Sequence, residues 1–357
     1  MSNFSLGGAG NSISKLCLSL PRKNYQISII CLGKCDYKHQ LNQNKIQVIE
    51  IKKKKILFSI NEIHNAIIKL IEIGKKNILI SNIHYNNVIL AHIVKKNSNI
   101  KVILVERTPI EELDIYFSFK DFIKKKILKI LVKFYYNYSD AIIANSFGIK
   151  KGLIKKIKKP VKVIYPPSLQ KISFLKVNSN KNKINKIICL SRLSKEKNLD
   201  CAINAFKYLK DSNVSLTIYG NGEEEQNLKK LIIKNGLSSK VFIKKHTNDI
   251  NKVLKNYQIL ISPSLFEGCS NSVIEALNHN LIVILSNCPG GNFEILSNGK
   301  NGLLFESNNP HDLSLKIKKV LDKPKFYYKK SQHYKVDLKR FLLSKNVSEY
   351  DKLFNKI

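Results

Sequence analysis

Short apolar runs alternate with longer segments of helical periodicity through the first half of the chain. The runs are rich in Ile and Val and are bounded by polar or turn residues, a pattern typical of buried strands. They span residues 26–32, 46–51, 77–81, 100–105, 141–144 and 161–165. The helical segments between them span residues 11–20, 61–73, 87–95, 119–138 and 147–158. Such alternation predicts a parallel sheet with helices on both faces.

The same alternation returns in the second half, after a polar segment. Pro166-Pro167 end the first half, and the Asn- and Lys-rich residues 168–186 predict a linker. Strands are predicted at residues 186–190, 215–219, 241–243, 258–262 and 281–285, and helices at 198–209, 223–235, 249–255, 272–278 and 312–321. We therefore predict an α/β protein with two Rossmann-like, doubly wound domains, residues 1–167 and 186–325, that face a cleft. A helix over residues 332–357 is predicted to pack back on the first domain.

The start of the chain departs from this pattern. Gly7-Gly8-Ala9-Gly10 open the first helix, and a doubly wound domain normally has a strand before such a glycine loop. Residues 1–6 carry no strand pattern. We predict either that the true start lies upstream or that the N-terminal domain lacks its first, central strand.

The composition is that of a globular protein without a membrane span. A chain of 357 residues that is 43% hydrophobic and 9% aromatic can bury two ordinary cores. No run of about 18 uncharged apolar residues occurs, and the start lacks the features of a signal peptide, which predicts a cytoplasmic protein. Seven cysteines are scattered without a Cys-x-x-Cys pair, which favours reduced thiols over a zinc site.

The charge is strongly positive. Lys and Arg number 62 against 26 acidic residues, a net charge of +36. Such an excess suits nucleic acid or an anionic membrane. It is nearly all lysine in a chain crowded with Ile and Asn, so codon bias in an AT-rich genome is a third explanation.

Two carboxylates, Glu267 and Glu275, bracket the most informative segment. A predicted strand precedes it, Gly268 follows the first carboxylate, and a Ser- and Asn-rich run leads into an apolar helix. Amides at a helix start attract anions and glycine permits close approach, whereas a carboxylate is suited to sugar hydroxyls. The segment predicts a pocket for a ligand that is part sugar and part phosphate. For Glu275 the alternative is structural, because Ser272-x-x-Glu275 matches a capping box.

A second group of candidates follows the first strand of the second domain. Arg192 and Lys197 lie in a turn between strand and helix, where a guanidinium fork and an ammonium group could clamp a diphosphate. Solvated surface charge is the alternative. Gly220 closes the next strand within a Gly-Asn-Gly turn and is a further candidate for substrate contact.

Taken in order, these segments resemble the retaining glycosyltransferases of family 4, which have the GT-B fold. The resemblance covers nearly the whole chain, and Glu267 and Glu275 match the E-x7-E signature of that family within SLFEGCSNSVIEAL. Arg192 and Lys197 match its diphosphate-binding pair, although Ser191 stands where glycine is usual. The other matching segments are SLGGA at 5–9, VERTP at 105–109, AIIANS at 141–146, VIYPP at 163–167, Gly290-Gly291 with Glu294, and NGKNGLLF at 298–305.

The resemblance implies a role for each candidate. Arg192 and Lys197 would neutralise the leaving pyrophosphate of a nucleotide sugar, Glu267 would bind sugar hydroxyls, and Glu275 would bind the ribose. Gly8 would let a loop of the first domain close over the donor. Backbone amides between the two glutamates would help to hold the phosphates or the sugar, namely those of Gly268, Cys269, Ser270, Asn271 and Ser272. Two cations and a helix start would carry the leaving-group charge, so no metal and no cofactor is expected with a UDP- or GDP-type donor.

Two features of the first domain concern its partners. His84 is predicted in a loop after the strand at 77–81, where it either faces the acceptor or is simply exposed. In residues 119–138, apolar residues recur at helical spacing and lysines fill most of the remaining surface. This segment is either a packed core helix or a helix that lies on anionic lipid.

These observations predict a metal-independent glycosyltransferase of the hexosyl or N-acetylhexosaminyl type. It would transfer sugar to a glycan or polyprenyl-linked acceptor in surface polysaccharide biosynthesis, at the inner face of the membrane. The alternatives are another GT-B enzyme such as an epimerase or phosphorylase, a truncated inactive GT-B protein, or a basic nucleic-acid-binding protein. No nucleic-acid recognition motif is present, so nucleic acid is not expected as a partner.

Overall fold

The computed structural model describes residues 2–4, 7–52, 59–94, 99–173, 184–247, 249–333 and 335–357. The chain divides into two compact units. One comprises Met1–Pro167 with Leu343–Ile357, and the other comprises Ser168–Leu342. Each unit has the α/β architecture, with parallel strands, that the alternation of patterns predicted.

The first unit contains two parallel sheets. One is built from β1 (Ser2–Phe4), β2 (Ser28–Cys35) and β3 (Gln47–Ile51), and the other from β4 (Asn77–Asn82), β5 (Ile100–Glu106), β6 (Ala141–Ala144) and β7 (Val161–Val163). Its helices are α1 (Gly8–Ser19), α2 (Lys38–Gln43), α3 (Ile60–Leu70), α4 (His84–Val94), α5 (Phe119–Tyr135) and α6 (Phe147–Ile154). Ile103 of β5 and Ile143 of β6 are fully buried, as expected for the middle strands of a sheet covered on both faces.

The prediction that no strand precedes the glycine loop was wrong, because β1 is present. It is only three residues long and pairs with the carboxyl-terminal part of β2, through Ser2 with Leu32 and Phe4 with Cys35. It does not reach β4, which is an edge strand of the other sheet. A cavity of about 830 Å³ lies between β2 and β4 and is lined by Ser28–Leu32 and Asn77–Asn82. Among the described residues of the first unit, this cavity is a gap of about a strand's width, where a central strand would complete one continuous sheet.

The predicted helix over residues 332–357 is interrupted. The helix α13 (Pro324–His333) ends near the predicted start, Lys335–Phe341 form a 3-10 helix, and the terminal helix α14 spans Leu343–Lys356. The backbone amide of Leu169 donates to the Phe341 carbonyl (3.1 Å), and Leu342 forms a β-bridge with Leu169. This tertiary pairing explains why the helical pattern does not give one helix. In the first unit, α14 packs through Tyr350, Leu353 and Phe354.

The second unit has one six-stranded parallel sheet in the order β10-β9-β8-β11-β12-β13. Its strands are β8 (Lys186–Leu190), β9 (Ser215–Tyr219), β10 (Val241–Lys244), β11 (Ile259–Ser262), β12 (Ile282–Ser286) and β13 (Leu303–Phe305). Its helices are α7 (Leu199–Ala205), α8 (Glu225–Lys234), α9 (Ile250–Leu254), α10 (Asn271–Asn278), α11 (Asn292–Ile295), α12 (Pro310–Asp322) and α13 (Pro324–His333).

The strand order of this sheet reverses at β8, which pairs with β9 on one side and β11 on the other. In open α/β sheets, ligands bind outside the carboxyl ends of the strands at such a switch point. The loops that follow β8 and β11 carry Arg192, Lys197 and Glu267. The topology therefore places these three candidates at the edge of the sheet where a ligand site is expected.

Candidate functional site

An ion pair between Lys197 and Glu267 joins the loops after β8 and β11. The Lys197 ammonium lies 2.7 Å from Oε2 of Glu267, and the two side chains are only 17% and 16% exposed. The hydroxyl of Ser264 also lies near Oε2 of Glu267 (3.3 Å). The backbone amide of Leu265 donates to the Glu196 carbonyl (2.9 Å), which ties the two loops together. The structure thus brings together the predicted cation Lys197 and the predicted carboxylate Glu267, with both side chains largely shielded from solvent.

The loop after β12 holds Glu267 from the other side. The backbone amide of Glu267 donates to the Pro289 carbonyl (3.1 Å), and the Glu267 carbonyl accepts from the Gly291 amide (3.0 Å). Gly290 between them has a φ of +119°, and a Cβ at this position would overlap the Glu267 carbonyl. Glycine is therefore required here both for its conformation and for the close approach of two backbones. The hydroxyl of Ser286 donates to the Ser264 carbonyl (2.6 Å) and completes the support.

Arg192 is placed differently from Lys197. Its side chain is largely exposed, and its guanidinium lies 2.9 Å from Oε1 of Glu196 rather than beside Glu267. The hydroxyl of Ser194 donates to the same Glu196 oxygen (2.7 Å). Sequence reasoning missed Glu196, which carries a negative charge between the two candidate cations. The i, i+4 spacing from Arg192 was the available signal, although it is a helix rule and this segment is a loop with one 3-10 turn.

Gly220 has a structural reason of its own. It follows β9, and a Cβ on it would overlap the carbonyl of Ser191 at the start of the Arg192 loop. Gly222 meets Leu193 in the same way. The backbone amide of Leu193 donates to the Asn221 carbonyl (3.0 Å), so this turn packs against the Arg192 loop and fixes its course.

The start of α10 rules out the capping-box interpretation of Glu275. The N-cap residue is Ser270, which makes no side-chain capping bond, and Ser272 is the second helical residue. The Ser272 hydroxyl donates to the Leu190 carbonyl (3.2 Å) at the end of β8. Glu275 is the fifth residue of the helix, beyond the reach of a capping box, and it is partly exposed. The first turn carries no acidic residue, which leaves its positive end unopposed by carboxylates from the helix itself.

The remaining residues of this segment are shielded or locally bonded. Gly268 and Cys269 are buried, and Asn271 accepts a hydrogen bond from the Ser168 hydroxyl (2.6 Å). Burial raises the pKa of Cys269 well above its usual value, and the carboxylate of Glu294 adds to this shift. Cys288, which sequence reasoning did not single out, lies near Lys197 and Glu267, and burial raises its pKa to about 11. Both thiols are therefore neutral at pH 7 and add no charge to the site.

In the first unit, His84 is the first residue of α4 and is fully buried, so it does not face an acceptor surface in this structure. Its Nδ1 lies 2.8 Å from Oε2 of Glu106, which is also fully buried. Burial lowers the pKa of His84, but the charge and hydrogen bond of Glu106 outweigh it and raise the pKa to about 9. Asn87 (2.7 Å) and the Tyr136 hydroxyl donate to the other Glu106 oxygen. His84 therefore belongs to a buried polar network.

The glycine loop of the first unit is described only in part. Gly8 is exposed and begins α1, and the backbone amide of Asn11 donates to the Gly7 carbonyl (2.9 Å). Ser5 and Leu6, which belong to the matching segment SLGGA, lie outside the described residues. Within the described ranges, no three His, Cys, Asp or Glu residues group as a metal site would require. Nor does any helix of those ranges have the length and apolar character needed to cross a bilayer.

Two family models match the chain in consecutive halves. The model for Glycosyltransferase Family 4 matches residues 6–167, and that for Glycosyl transferases group 1 matches residues 171–335. An uncharacterized glycosyltransferase of Methanocaldococcus jannaschii is 33% identical over 57% of this chain and 52% of its own length.

A second relative shows similar coverage. The N-acetylgalactosamine-N,N'-diacetylbacillosaminyl-diphospho-undecaprenol 4-alpha-N-acetylgalactosaminyltransferase of Campylobacter jejuni is 28% identical over 55% of each chain. The matches thus span about half the length of these two curated relatives.

Comparison of folds gives full-length agreement. Anabaena HepE, solved in complex with UDP-glucose, matches with a TM-score of 0.81 and 16% identity over 100% of this chain and 98% of that one. This likeness shows the GT-B fold that the sequence predicted. Because the two family models cover nearly all of both units, the chain belongs to the glycosyltransferases, with a family 4 first half and a group 1 second half.

Proposed function

We propose that the protein is a retaining glycosyltransferase that uses a nucleotide-diphosphate sugar. The observation that carries the proposal is the nearly buried Lys197–Glu267 pair at the switch point of the second sheet. A surface ion pair adds little to stability, and a buried pair has to offset the desolvation of both charges. The ammonium group of Lys197 and the carboxylate of Glu267, held there by three loops, are suited to a ligand that carries both phosphates and hydroxyls.

Lys197 and Arg192 would bind the diphosphate. In the structure each has a carboxylate partner, Glu267 for Lys197 and Glu196 for Arg192. A diphosphate would replace these partners with its own charges, and charge-assisted hydrogen bonds of this kind are about twice as strong as neutral ones. The amides from Gly268 to Ser272 at the start of α10 would add donors without adding charge.

Glu267 and Glu275 would bind the hydroxyls of the donor. Backbone hydrogen bonds with Pro289 and Gly291 fix Glu267 on both sides, so the position of its carboxylate would be set before the ligand binds. Sugar hydroxyls donate to a carboxylate, and Glu275, the fifth residue of α10, would bind the ribose in the same way. Gly8 would allow the glycine loop of the first unit to approach the donor.

The chemistry proposed for this site needs no metal ion or cofactor. As the bond from the anomeric carbon to the diphosphate breaks, negative charge grows on the leaving oxygen, and Arg192, Lys197 and the helix start would stabilise it. The leaving phosphate would accept the proton from the acceptor hydroxyl on the same face of the sugar, which retains the anomeric configuration. The donor would be a UDP- or GDP-linked hexose or N-acetylhexosamine.

The acceptor proposed is a glycan or a polyprenyl-linked glycan of surface polysaccharide synthesis. The name of the Campylobacter jejuni relative includes a diphospho-undecaprenol acceptor, which supports a lipid-linked acceptor here. Such an acceptor would be met at the cytoplasmic face of an anionic membrane, and the net charge of +36 favours that location.

Donor hydrolysis and transfer, measured with a panel of UDP- and GDP-sugars in the presence of EDTA, test this function. Glu267→Ala and Arg192→Ala should each lose at least about tenfold in rate, equivalent to roughly 1.4 kcal/mol. Lys195→Gln removes an exposed lysine from the same loop and should leave the rate unchanged. Full activity of both alanine variants, or an equal loss in Lys195→Gln, would contradict the assignment of the donor site. An inverted product, or activity abolished by EDTA, would contradict the proposed chemistry.

A further inference from the structure

One face of α5 carries large apolar side chains in the open. Phe119 is 76% exposed and Ile130 is 70% exposed, and three more exposed apolar residues share their face. The five residues are Phe119, Ile123, Ile127, Ile130 and Phe134. At 3.6 residues per turn, they fall within about 80° of arc and form a stripe along the whole helix. We call these five residues the α5 stripe.

The α5 stripe is separate from the face of α5 that packs in the core. Leu128 and Val132 are buried in the cluster of the first unit, with Leu131 and Tyr135 packed beside them. Leu128 and Val132 lie on the opposite side of the helix from the α5 stripe. The prediction of a packed core helix therefore accounts for one face only. An apolar stripe of this size on a soluble surface indicates a partner.

Exposed lysines border the α5 stripe on both sides. Lys126 and Lys133 follow one edge, and Lys120 and Lys124 follow the other. Two other lysines of the helix have acidic neighbours, because Lys125 pairs with Asp121 (3.0 Å) and Lys129 pairs with Asp114 (2.5 Å). The stripe is thus an apolar strip between two rows of positive charge.

We propose that the α5 stripe docks on an anionic lipid bilayer, with the helix lying in the plane of the interface. The five apolar side chains would enter the boundary between headgroups and acyl chains. The lysines on either side would extend their stems outward and place their ammonium groups among lipid phosphates. A helix with an apolar face and basic borders has the chemistry that this surface requires.

A second copy of the chain fits the α5 stripe less well than lipid does. Two stripes packed against each other would bring the lysine rows of both copies together without a carboxylate between them. Like charges at an interface are repulsive, and the whole chain already carries +36. An anionic bilayer instead supplies negative charge along the full length of both rows.

The docking surface goes beyond the proposed transfer reaction and rests on α5 alone. When bound, it would hold the first unit against the membrane in which a lipid-linked acceptor is carried. Vesicle binding does not need the donor site, so Glu267→Gln should bind lipid as the wild type does. If the protein binds lipid but shows no transfer activity, the proposed function fails while the proposed docking surface stands. If it transfers sugar but does not bind lipid, only the docking surface fails.

Co-sedimentation of the full chain with vesicles tests the docking surface. Vesicles of phosphatidylglycerol and phosphatidylcholine in equal parts should bind the wild type, and vesicles of phosphatidylcholine alone should bind it at least about tenfold less. Phe119→Ser with Ile130→Ser and Phe134→Ser should weaken binding to the anionic vesicles at least about tenfold. Because all three side chains are exposed, the variant should keep the melting temperature of the wild type.

The matched control removes exposed apolar side chains from the second unit. Ile233→Ser with Phe326→Ser deletes side chains of similar exposure, since Ile233 is 71% exposed, and should leave vesicle binding unchanged. Replacing Lys120, Lys124, Lys126 and Lys133 by Gln should also weaken binding and reduce its dependence on salt.

Three results would overturn the proposal. One is a wild type that does not bind anionic vesicles. Another is an α5 variant that binds as the wild type or no worse than the control. The third is a wild type that is dimeric by light scattering and becomes monomeric in the α5 variant, because the stripe would then be an interface between copies.

Discussion

Replacing Glu267 by glutamine should destabilise the second unit and, at the same time, tighten the binding of free UDP. The substitution leaves the ammonium group of Lys197, which is almost buried, without its counter-charge. Removing one partner of a fully buried pair costs about 3–5 kcal/mol, and the residual exposure of this pair reduces the expected cost to about 2–3 kcal/mol. Urea unfolding measures this cost.

Binding of UDP should respond in the opposite direction. In the proposed site the carboxylate of Glu267, 2.7 Å from Nζ of Lys197, would compete with a phosphate for this ammonium group and would repel the phosphate. Without that carboxylate, UDP gains a free partner, and its Kd should fall about threefold to tenfold, or about 0.7–1.4 kcal/mol. Transfer of sugar should still fall, because the residue proposed to bind the sugar hydroxyls has lost its charge.

Isothermal titration with UDP, alongside urea unfolding, gives both quantities. Glu225→Gln is the matched control, since Glu225 pairs with Lys229 at 2.6 Å on a more exposed surface of the same unit. It should leave the urea unfolding midpoint nearly unchanged and should not change the Kd for UDP. Weaker UDP binding in Glu267→Gln, or an equal loss of stability in the two variants, would show that Glu267 neither shields nor competes for Lys197.

Two further predictions concern the first unit. Because the pKa of His84 is raised from 6.5 to about 9, its protonated form stabilises the fold fully below about pH 6.5, and this contribution is lost as the pH rises through 9. The free energy of unfolding should fall over this pH range in the wild type and should fall less in His84→Gln. Urea unfolding at each pH measures this, and the same pH dependence in both proteins would contradict the prediction. Extending β1 at its amino end by about five alternating apolar residues should fill the gap between β2 and β4 and raise the free energy of unfolding by about 2–3 kcal/mol. An extension of equal length made of Gly and Ser should not raise the free energy of unfolding. Equal melting temperatures for the two extended variants would exclude the gap as a strand site.

Much of the fold could be predicted because its strands are short, apolar and separated by helical patterns. The strands of the second unit from β8 to β12 lie close to the predicted ranges. Two strands, β1 and β13, were missed because each has only three residues, too few to show a period. The break before α14 depends on the pairing of Leu169 with Leu342, which is distant in sequence and leaves no local signal.

The site could be predicted as a set of residues but not as a set of contacts. The spacing of Arg192 and Lys197 suggested that both act as one clamp, yet each has a different carboxylate partner. The capping box at Ser272 was plausible in sequence, but the helix starts at Asn271, two residues earlier than that interpretation requires. The role of Gly290 depends on a backbone approach between two loops, which only coordinates reveal.

The face of α5 shows the same limit of a periodic pattern. Apolar residues surround most of this helix, so periodicity alone could not separate the core-facing Leu128 and Val132 from the exposed stripe. Burial separates the core-facing residues from the stripe, because only one side of α5 packs against the rest of the first unit.

A structure of the protein with a bound nucleotide sugar tests the proposed donor site. The diphosphate should contact Nζ of Lys197 and the guanidinium of Arg192, and a sugar hydroxyl should donate to the carboxylate of Glu267. A diphosphate bound elsewhere, with the Lys197–Glu267 pair still intact at 2.7 Å, would show that the donor site is wrongly assigned.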